Sequence, residues 1–324
     1  MKHTPNGPSS LSKRALCPAS LSQEHGMEEV EFDEDADSGT RCHEAMEAIL
    51  RGTTPPNLTD AEFEKVKFAL GALKHMLGGD EIIPGEYRTK NGGIVLVELT
   101  MESLPYSVEG QEPECGTVDL AIIYPDHILM MDWKFGGSFV DHPRWNKQLM
   151  GLATGIWEQY PGLEIHAAIV QPRAGADHRI EPWVYMPEER AGFVSRLNQI
   201  VSDCYEFTDK FCVGKGCQFC KAAKQNTCPG RHKALGVFAE GLQLDPAEMD
   251  TNQRARLLIA AKAAIVSAEL FIEKVKAGVR DTGEIPDGWR ASKTSTGKVR
   301  IDPNPSAPSW PEDHARPAMK MIKF

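Results

Sequence analysis

One hairpin sets the strongest constraint on how this chain folds. Residues 114–148 read ECGTVDLAIIYPDHILMMDWKFGGSFVDHPRWNKQ, with Asp119 inside one apolar run and an Asp-x-Lys, Asp132 to Lys134, closing the next. Residues 117–124 and 128–134 are rich in β-branched and large apolar side chains, as strands are. Pro125 and Asp126 between them suit a tight turn. Pairing Tyr124 with His127 then sets Asp119 opposite Asp132, and Lys134, two residues on, projects from the same face as Asp132. Opposed like charges destabilise a sheet, and a buried unpaired charge costs several kcal/mol. A bound cation reverses the sign of that repulsion.

Two carboxylates and a lysine, with no cysteine or histidine beside them in the sequence, favour a hard, oxygen-preferring ion such as Mg²⁺ or Mn²⁺. Such an ion acidifies a bound water and stabilises charge on a phosphoryl oxygen. Lys134 can orient that water or help deprotonate it. A Gly136-Gly137 loop follows directly.

The order Gly116-Thr117-Val118-Asp119, then Asp132-Trp133-Lys134, then Gln148 on a following helix, resembles the RecB-like branch of the PD-(D/E)XK nucleases. It looks most like a phage-encoded group and is similar to the CRISPR-associated iron–sulfur exonucleases. The likeness runs from about Ser9 to Cys228 and is fainter beyond. It implies an α/β fold: a restriction-endonuclease-like αβββαβ core, a mixed central sheet flanked by helices, with helical additions and a Cys-ligated cluster. It also implies a metal-dependent DNA exonuclease in phage recombination or replication. By motif, Gly39-Thr40-Arg41-Cys42-His43 makes His43 a metal ligand, with Ser38 or Thr40 capping its helix and Glu47 orienting the imidazole. Glu98, isolated in the apolar run 94–100, is the acid expected on the preceding strand, with Glu86 second. The Trp133 backbone carbonyl completes the ligand set of Asp119, Asp132 and His43. Gln148 positions water, lysine or phosphate. The family's tyrosine four residues after that glutamine is Leu152 here.

The cysteines give a second signal. Eight in 324 residues is too sparse for a disulfide scaffold, and the start MKHTPNGPSS lacks the apolar stretch of a signal peptide. No run of 18 apolar residues is present, so a cytoplasmic location is expected, the bacterial host's if the chain is phage-encoded. Cys217-x2-Cys220-x7-Cys228 is a metal-type cluster, and either Cys212 or Cys17 supplies a fourth thiolate. The resemblance implies Cys17 with Cys217, Cys220 and Cys228 around a 4Fe–4S cluster; zinc is the alternative. Cys42, Cys115 and Cys204 read as buried, idle thiols.

The formal charge of −10 is unusual for a DNA binder, but residues 28–37 alone hold seven acids and no base. Such a run reads as a solvated loop. Lys13, Arg14, Arg41, Arg144 and Lys147 are local bases, and Arg144 and Lys147, beside a helix start, are the expected phosphate contacts. The expected domains are a nuclease core over 1–235 and a helical and hairpin appendage over 236–324. Helices are expected over 60–77, 145–160, 186–207 and 246–279, a strand over 164–171 and a hairpin over 285–301. Arg254, Lys262, Lys293, Lys298 and Arg300 suit a DNA-guiding arm; an oligomerisation helix suits the same segment. DNA is the expected partner, with no membrane, and a homo-oligomer or a phage recombination protein as a further one. The competing readings are a nucleic-acid-binding protein without hydrolysis and an iron–sulfur regulator.

Overall fold

The hairpin forms with the expected pairing. The computed structural model describes residues 4–27, 34–108, 110–136, 140–172, 179–245, 247–285, 289–293 and 299–303. In it Ile123 pairs with Ile128, Ile122 with Leu129, Ala121 with Met130 and Leu120 with Met131. The Tyr124 N–H donates to the His127 carbonyl at the turn.

In chain order the elements are α1 (Pro8–Leu16), α2 (Ser20–Glu24), α3 (Glu34–Leu50), α4 (Asp60–Met76), β1 (Ile82–Ile83), β2 (Arg88–Thr89), β3 (Ile94–Met101), β4 (Gly116–Ile123), β5 (His127–Trp133) and α5 (Lys147–Gln159). There follow β6 (Glu164–Gln171), β7 (Arg179–Tyr185), α6 (Arg190–Glu206), α7 (Lys221–Lys224), α8 (Pro229–Gly241), α9 (Thr251–Thr282), β8 (Trp289–Lys293) and β9 (Val299–Pro303). Strands β1 to β7 form one seven-stranded sheet in sequence order. Every neighbouring pair is antiparallel except β5–β6. That parallel pair needs a long crossover, which α5 supplies.

The sheet separates two apolar layers. On one face Ala121, Met130, Ile165 and Ile169 pack with Leu149, Ile156 and Trp157 of α5, Leu11 of α1 and Leu197 of α6. On the other, Val97, Leu120, Ile122, Met131 and Val170 pack with Met46 of α3 and Val66 and Leu73 of α4. Helix α5 sits close because Gly155 carries no Cβ, which would overlap the Met101 sulfur and Leu104. Helix α4 starts at a capping box: Thr59 Oγ1 accepts the Glu62 N–H at 3.3 Å and Glu62 Oε2 accepts the Thr59 N–H at 2.9 Å.

Several expectations need correction. Helix α3 begins by Glu34, so Ser38 and Thr40 lie inside it rather than at its cap, and Ser38 Oγ accepts from Lys65 Nζ at 2.9 Å. Strand β7 was not expected. Its Pro182, paired with Ala168, lowers strand propensity but is tolerated on the outermost strand of a sheet. Gly137, residues 28–33 of the acidic run, Lys298 and the tail after Pro303 lie outside the described residues.

The chain divides into two compact units, Met1–Ser267 and Ala268–Phe324. The second contains the β8–β9 hairpin, with Trp289 opposite Pro303 and Lys293 opposite Val299. Among the described residues no helix is long and apolar enough to cross a membrane.

Candidate functional site

The regular sheet breaks down where the acids stand. Strands β3 and β4 pair at Val97–Leu120 and again at Leu99–Val118, but the pair between, Glu98 and Asp119, makes no ladder contact. Glu98 adopts φ 53°, a left-handed backbone that costs a non-glycine residue roughly 1–2 kcal/mol. Layer alternation slips at the same point: Leu120 belongs to the α3–α4 layer, and Val118, two residues away, to the α5 layer. A carboxylate that would have occupied a ladder position is thereby turned toward α3.

There it meets His43. His43 Nδ1 lies 3.7 Å from Asp119 Oδ2, and one donor atom each of His43, Glu98 and Asp119 lie within 4.8 Å of one another. Among the described residues no other three His, Cys, Asp or Glu side chains converge so closely. Ligands of an octahedral ion with bonds of about 2.1 Å stand roughly 3–4 Å apart, so the trio fits a small cation with little movement. Asp119 Oδ2 also accepts the Trp133 N–H at 2.7 Å, just past the Leu120–Met131 pair. Phe135 packs edge-on against the His43 ring at 5.1 Å. Glu47 pairs with Arg51, Nε to Oε1 3.1 Å, and Glu86 is exposed.

Asp132 lies outside this trio. It is 3 % exposed, and its Oδ1 accepts from Lys134 Nζ at 2.9 Å and from Gln148 Nε2 at 3.0 Å. Its Oδ2 is 2.7 Å from the same ammonium but in no hydrogen-bonding geometry, so it accepts no hydrogen bond. Gln148 is placed by the start of α5, where Asn146 Oδ1 accepts the Leu149 N–H at 3.1 Å. Asp132 therefore belongs to the α5 side and Asp119 to the α3 side, with Trp133 between them in the strand.

The cluster is short of positive charge. Burial, then the charges of Asp119 and Glu47, push the Glu98 carboxyl up to about 7 against the pull of Arg51. Burial also raises Asp119; His43 opposes the rise and Asp132 adds to it. Burial works against the Lys134 charge, yet Asp132 and Asp119 hold its ammonium above the ordinary value. In this arrangement Asp132 and Asp119 favour the charged form of Lys134. A cation would relieve the carboxylates that one ammonium leaves uncompensated.

Of the expected phosphate-binding bases, Arg144 and Lys147 flank the α5 start. Arg144 is exposed, and its guanidinium lies 4.7 Å from the Trp145 ring centroid and 4.9 Å from that of Trp183. Lys147 Nζ reaches back to the Trp145 carbonyl at 3.5 Å. The other bases are spoken for: Lys13 and Arg14 pair with Glu24 at 2.6 and 2.7 Å, and Arg41 with Glu62. The two indoles beside Arg144 were missed from sequence; Trp145 in His-Pro-Arg-Trp, just ahead of a helix, was the available signal.

The second site is a small enclosed cavity lined by Cys17, Cys212, Cys217, Cys220 and Cys228, with Phe211 and Gly216 among its other walls. Cys217, Cys220 and Cys228 are buried, Cys17 is partly buried and Cys212 is exposed. Backbone donors reach the sulfurs: Cys212 N–H to Cys17 Sγ and Gly214 N–H to Cys217 Sγ, each 3.4 Å. Burial raises the Cys17 and Cys217 thiols and carries Cys220 up to about 11. Without a cation these groups stay protonated. No three of the sulfurs lie within 4.8 Å of one another, whereas sulfurs on one tetrahedral zinc, with bonds of about 2.3 Å, stand roughly 3.8 Å apart. Cys42, Cys115 and Cys204 are buried elsewhere.

Fold and site together define an α/β protein with a mixed, helix-flanked sheet, a cation-competent His–Glu–Asp trio and a separate thiol-lined cavity. The chain belongs to the family described as "Protein of unknown function (DUF2800)", whose profile matches residues 3–302. A search of curated proteins finds no match. A solved structure described as "Crystal structure of SSO0001" is similar over 68% of this chain and 85% of its own, at 17% identity and a TM-score of 0.34. That likeness is too slight to bear on the fold or the function.

Proposed function

We propose that this chain is a metal-dependent deoxyribonuclease of PD-(D/E)XK type that digests DNA from its ends. The observation that carries the reading is the convergence of His43, Glu98 and Asp119 where the β3–β4 ladder is interrupted, with the Asp132–Lys134 pair close enough to act on Asp119 electrostatically. His43, Glu98 and Asp119 would hold the ion, with Asp132 Oδ2 and the Trp133 carbonyl as further oxygens. An imidazole in the set favours Mn²⁺ over Mg²⁺. When bound, the ion would acidify water and offset phosphoryl charge.

The side chains have separable tasks. Lys134, kept as an ammonium, orients the attacking water and donates to the phosphoryl oxygen as its charge grows. Gln148 fixes Asp132, and through it Lys134. Hydrolysis forms a bond from water oxygen to phosphorus and breaks the bond to the leaving nucleotide oxygen. The water proton ends on that oxygen or in solvent. End-directed digestion, a role in phage recombination or replication, a host-cytoplasm setting and oligomerisation rest on the motif resemblance.

The thiol cavity is read as a 4Fe–4S site with Cys17, Cys217, Cys220 and Cys228. The exposure of Cys212 favours Cys17 as the fourth ligand, and the motif resemblance favours a cluster over a single zinc. The deciding experiment is digestion of end-labelled duplex and single strands, and of closed circles, with Mn²⁺. Wild type should release labelled nucleotides and spare circles, and Lys134→Ala should not cut. Cleavage by Lys134→Ala at the wild-type rate sinks the assignment; DNA binding without cleavage by wild type favours a binding protein on the same fold.

A further inference from the structure

We propose that Trp145, with Arg144 beside it, is a stacking platform for an unpaired base of the DNA strand entering the site. This deepens the nuclease reading and rests on it for the identity of the ligand. Trp145 is 52% exposed, although an indole is among the most favourable groups to bury. One exposed aromatic is ordinary on a protein surface. Here a second, independent feature accompanies it.

The Arg144 guanidinium lies over both the Trp145 and Trp183 rings, and among the described residues no carboxylate pairs with it. In a chain carrying a formal charge of −10, an arginine held over two indoles and, among the described residues, paired with no acid suits a phosphate.

The segment is rigid. Tyr185 Oη donates to the Pro143 carbonyl. The Trp145 N–H donates to the His142 carbonyl at 2.8 Å. The buried Asn146 donates to the Asp141 carbonyl at 3.3 Å while capping α5. His142 packs edge-on to Trp183 at 5.8 Å. A rigid aromatic binds at little conformational cost, because it is already ordered.

Position connects the platform to the chemistry. Trp145 precedes Gln148 by three residues, so their Cα atoms are at most about 10 Å apart, and Gln148 touches Asp132. One strand can stack a base on Trp145 and present a nearby phosphate to Asp132 and Lys134. Inside a duplex the base faces are covered by their neighbours, so the platform selects single strands and frayed ends.

The test measures binding of a fluorescein-labelled 20-nucleotide single strand and of a closed circular duplex. It uses the full chain in Ca²⁺, for wild type, Trp145→Ala, Trp145→Phe and Arg144→Ala. Trp145→Ala should weaken single-strand binding roughly 5- to 50-fold, in line with one lost base–aromatic stack. Trp145→Phe should restore most of it, and circle binding should stay unchanged. The salt dependence should stay unchanged in Trp145→Ala, since stacking releases no counterion, and should fall by about 0.7 in log–log slope in Arg144→Ala. Equal single-strand affinity for wild type and Trp145→Ala overturns the proposal, as does an equal loss on circles. If wild type fails to cleave in Mn²⁺ while the Trp145 dependence persists, the nuclease reading fails and the platform stands.

Discussion

Asp119 accepts the Trp133 backbone N–H at 2.7 Å while its same oxygen faces His43 at 3.7 Å. One carboxylate thus closes the hairpin end and offers itself to a cation. The two roles separate by substitution. Asp119→Asn keeps an acceptor for Trp133, so its melting temperature should stay within a few degrees of wild type while Mn²⁺ affinity falls at least about tenfold. Asp119→Ala leaves a backbone donor unpaired and should cost about 1–3 kcal/mol of stability. Calorimetric Mn²⁺ titration and thermal unfolding read the two effects.

Glu98 combines a left-handed backbone with a partly buried acid. Glu98→Gly removes both the strain and the unfavourable carboxyl, so the apo protein should gain roughly 1 kcal/mol. The same change should weaken Mn²⁺ binding. Unfolding in urea, with and without Mn²⁺, checks the opposed signs; a variant that loses stability in both conditions contradicts the strain argument.

Glu62 lies under Arg41 and the Thr59 cap. Burial alone would raise its carboxyl, but the Arg41 and Thr59 hydrogen bonds hold it down at about 2. A carboxyl with a lowered folded pKa stabilises above its unfolded value, and that contribution is lost as pH falls from about 4.5 toward 2. Arg41 is 43% exposed, so solvent screening limits the effect to about 1 kcal/mol. Glu62→Gln should flatten the acid limb of stability against pH between those values, followed by circular dichroism.

Cys220→Ser and Cys17→Ser should each abolish broad visible absorbance and bound iron and sulfide in anaerobically prepared protein. Cys212→Ser should retain them. Loss of a ligand joining positions 17 and 217–228 opens a loop of nearly the whole first unit, which should lower stability by several kcal/mol, about as much as losing a long-range crosslink. One zinc atom and no iron in wild type would contradict this assignment.

The strands were legible because apolar runs bounded by Pro-Asp and Gly-Gly carry a strong signal; the Tyr124–His127 turn then fixed the register by counting. The slip at Asp119 was not legible. It depends on the Glu98 backbone in a neighbouring strand and on His43 in a helix more than fifty residues earlier, neither of which periodicity reports. For the same reason sequence did not show that Asp119 engages His43 of α3 while Asp132 engages Gln148 of α5. The Arg144–Trp183 contact was equally hidden, since it joins a loop to an unexpected edge strand across 39 positions.

Helix α1 ends one residue before Cys17, and its Leu11 abuts Gly151 of α5, one turn beyond Gln148. If Cys17 holds the proposed cluster, oxidants or iron starvation that unseat it would slacken α1 and, through this neighbour, the glutamine steadying Asp132. On the proposed nuclease reading, loss of that cysteine's ligand would disarm the site at a distance, with His43, Glu98, Asp119 and Lys134 themselves unchanged.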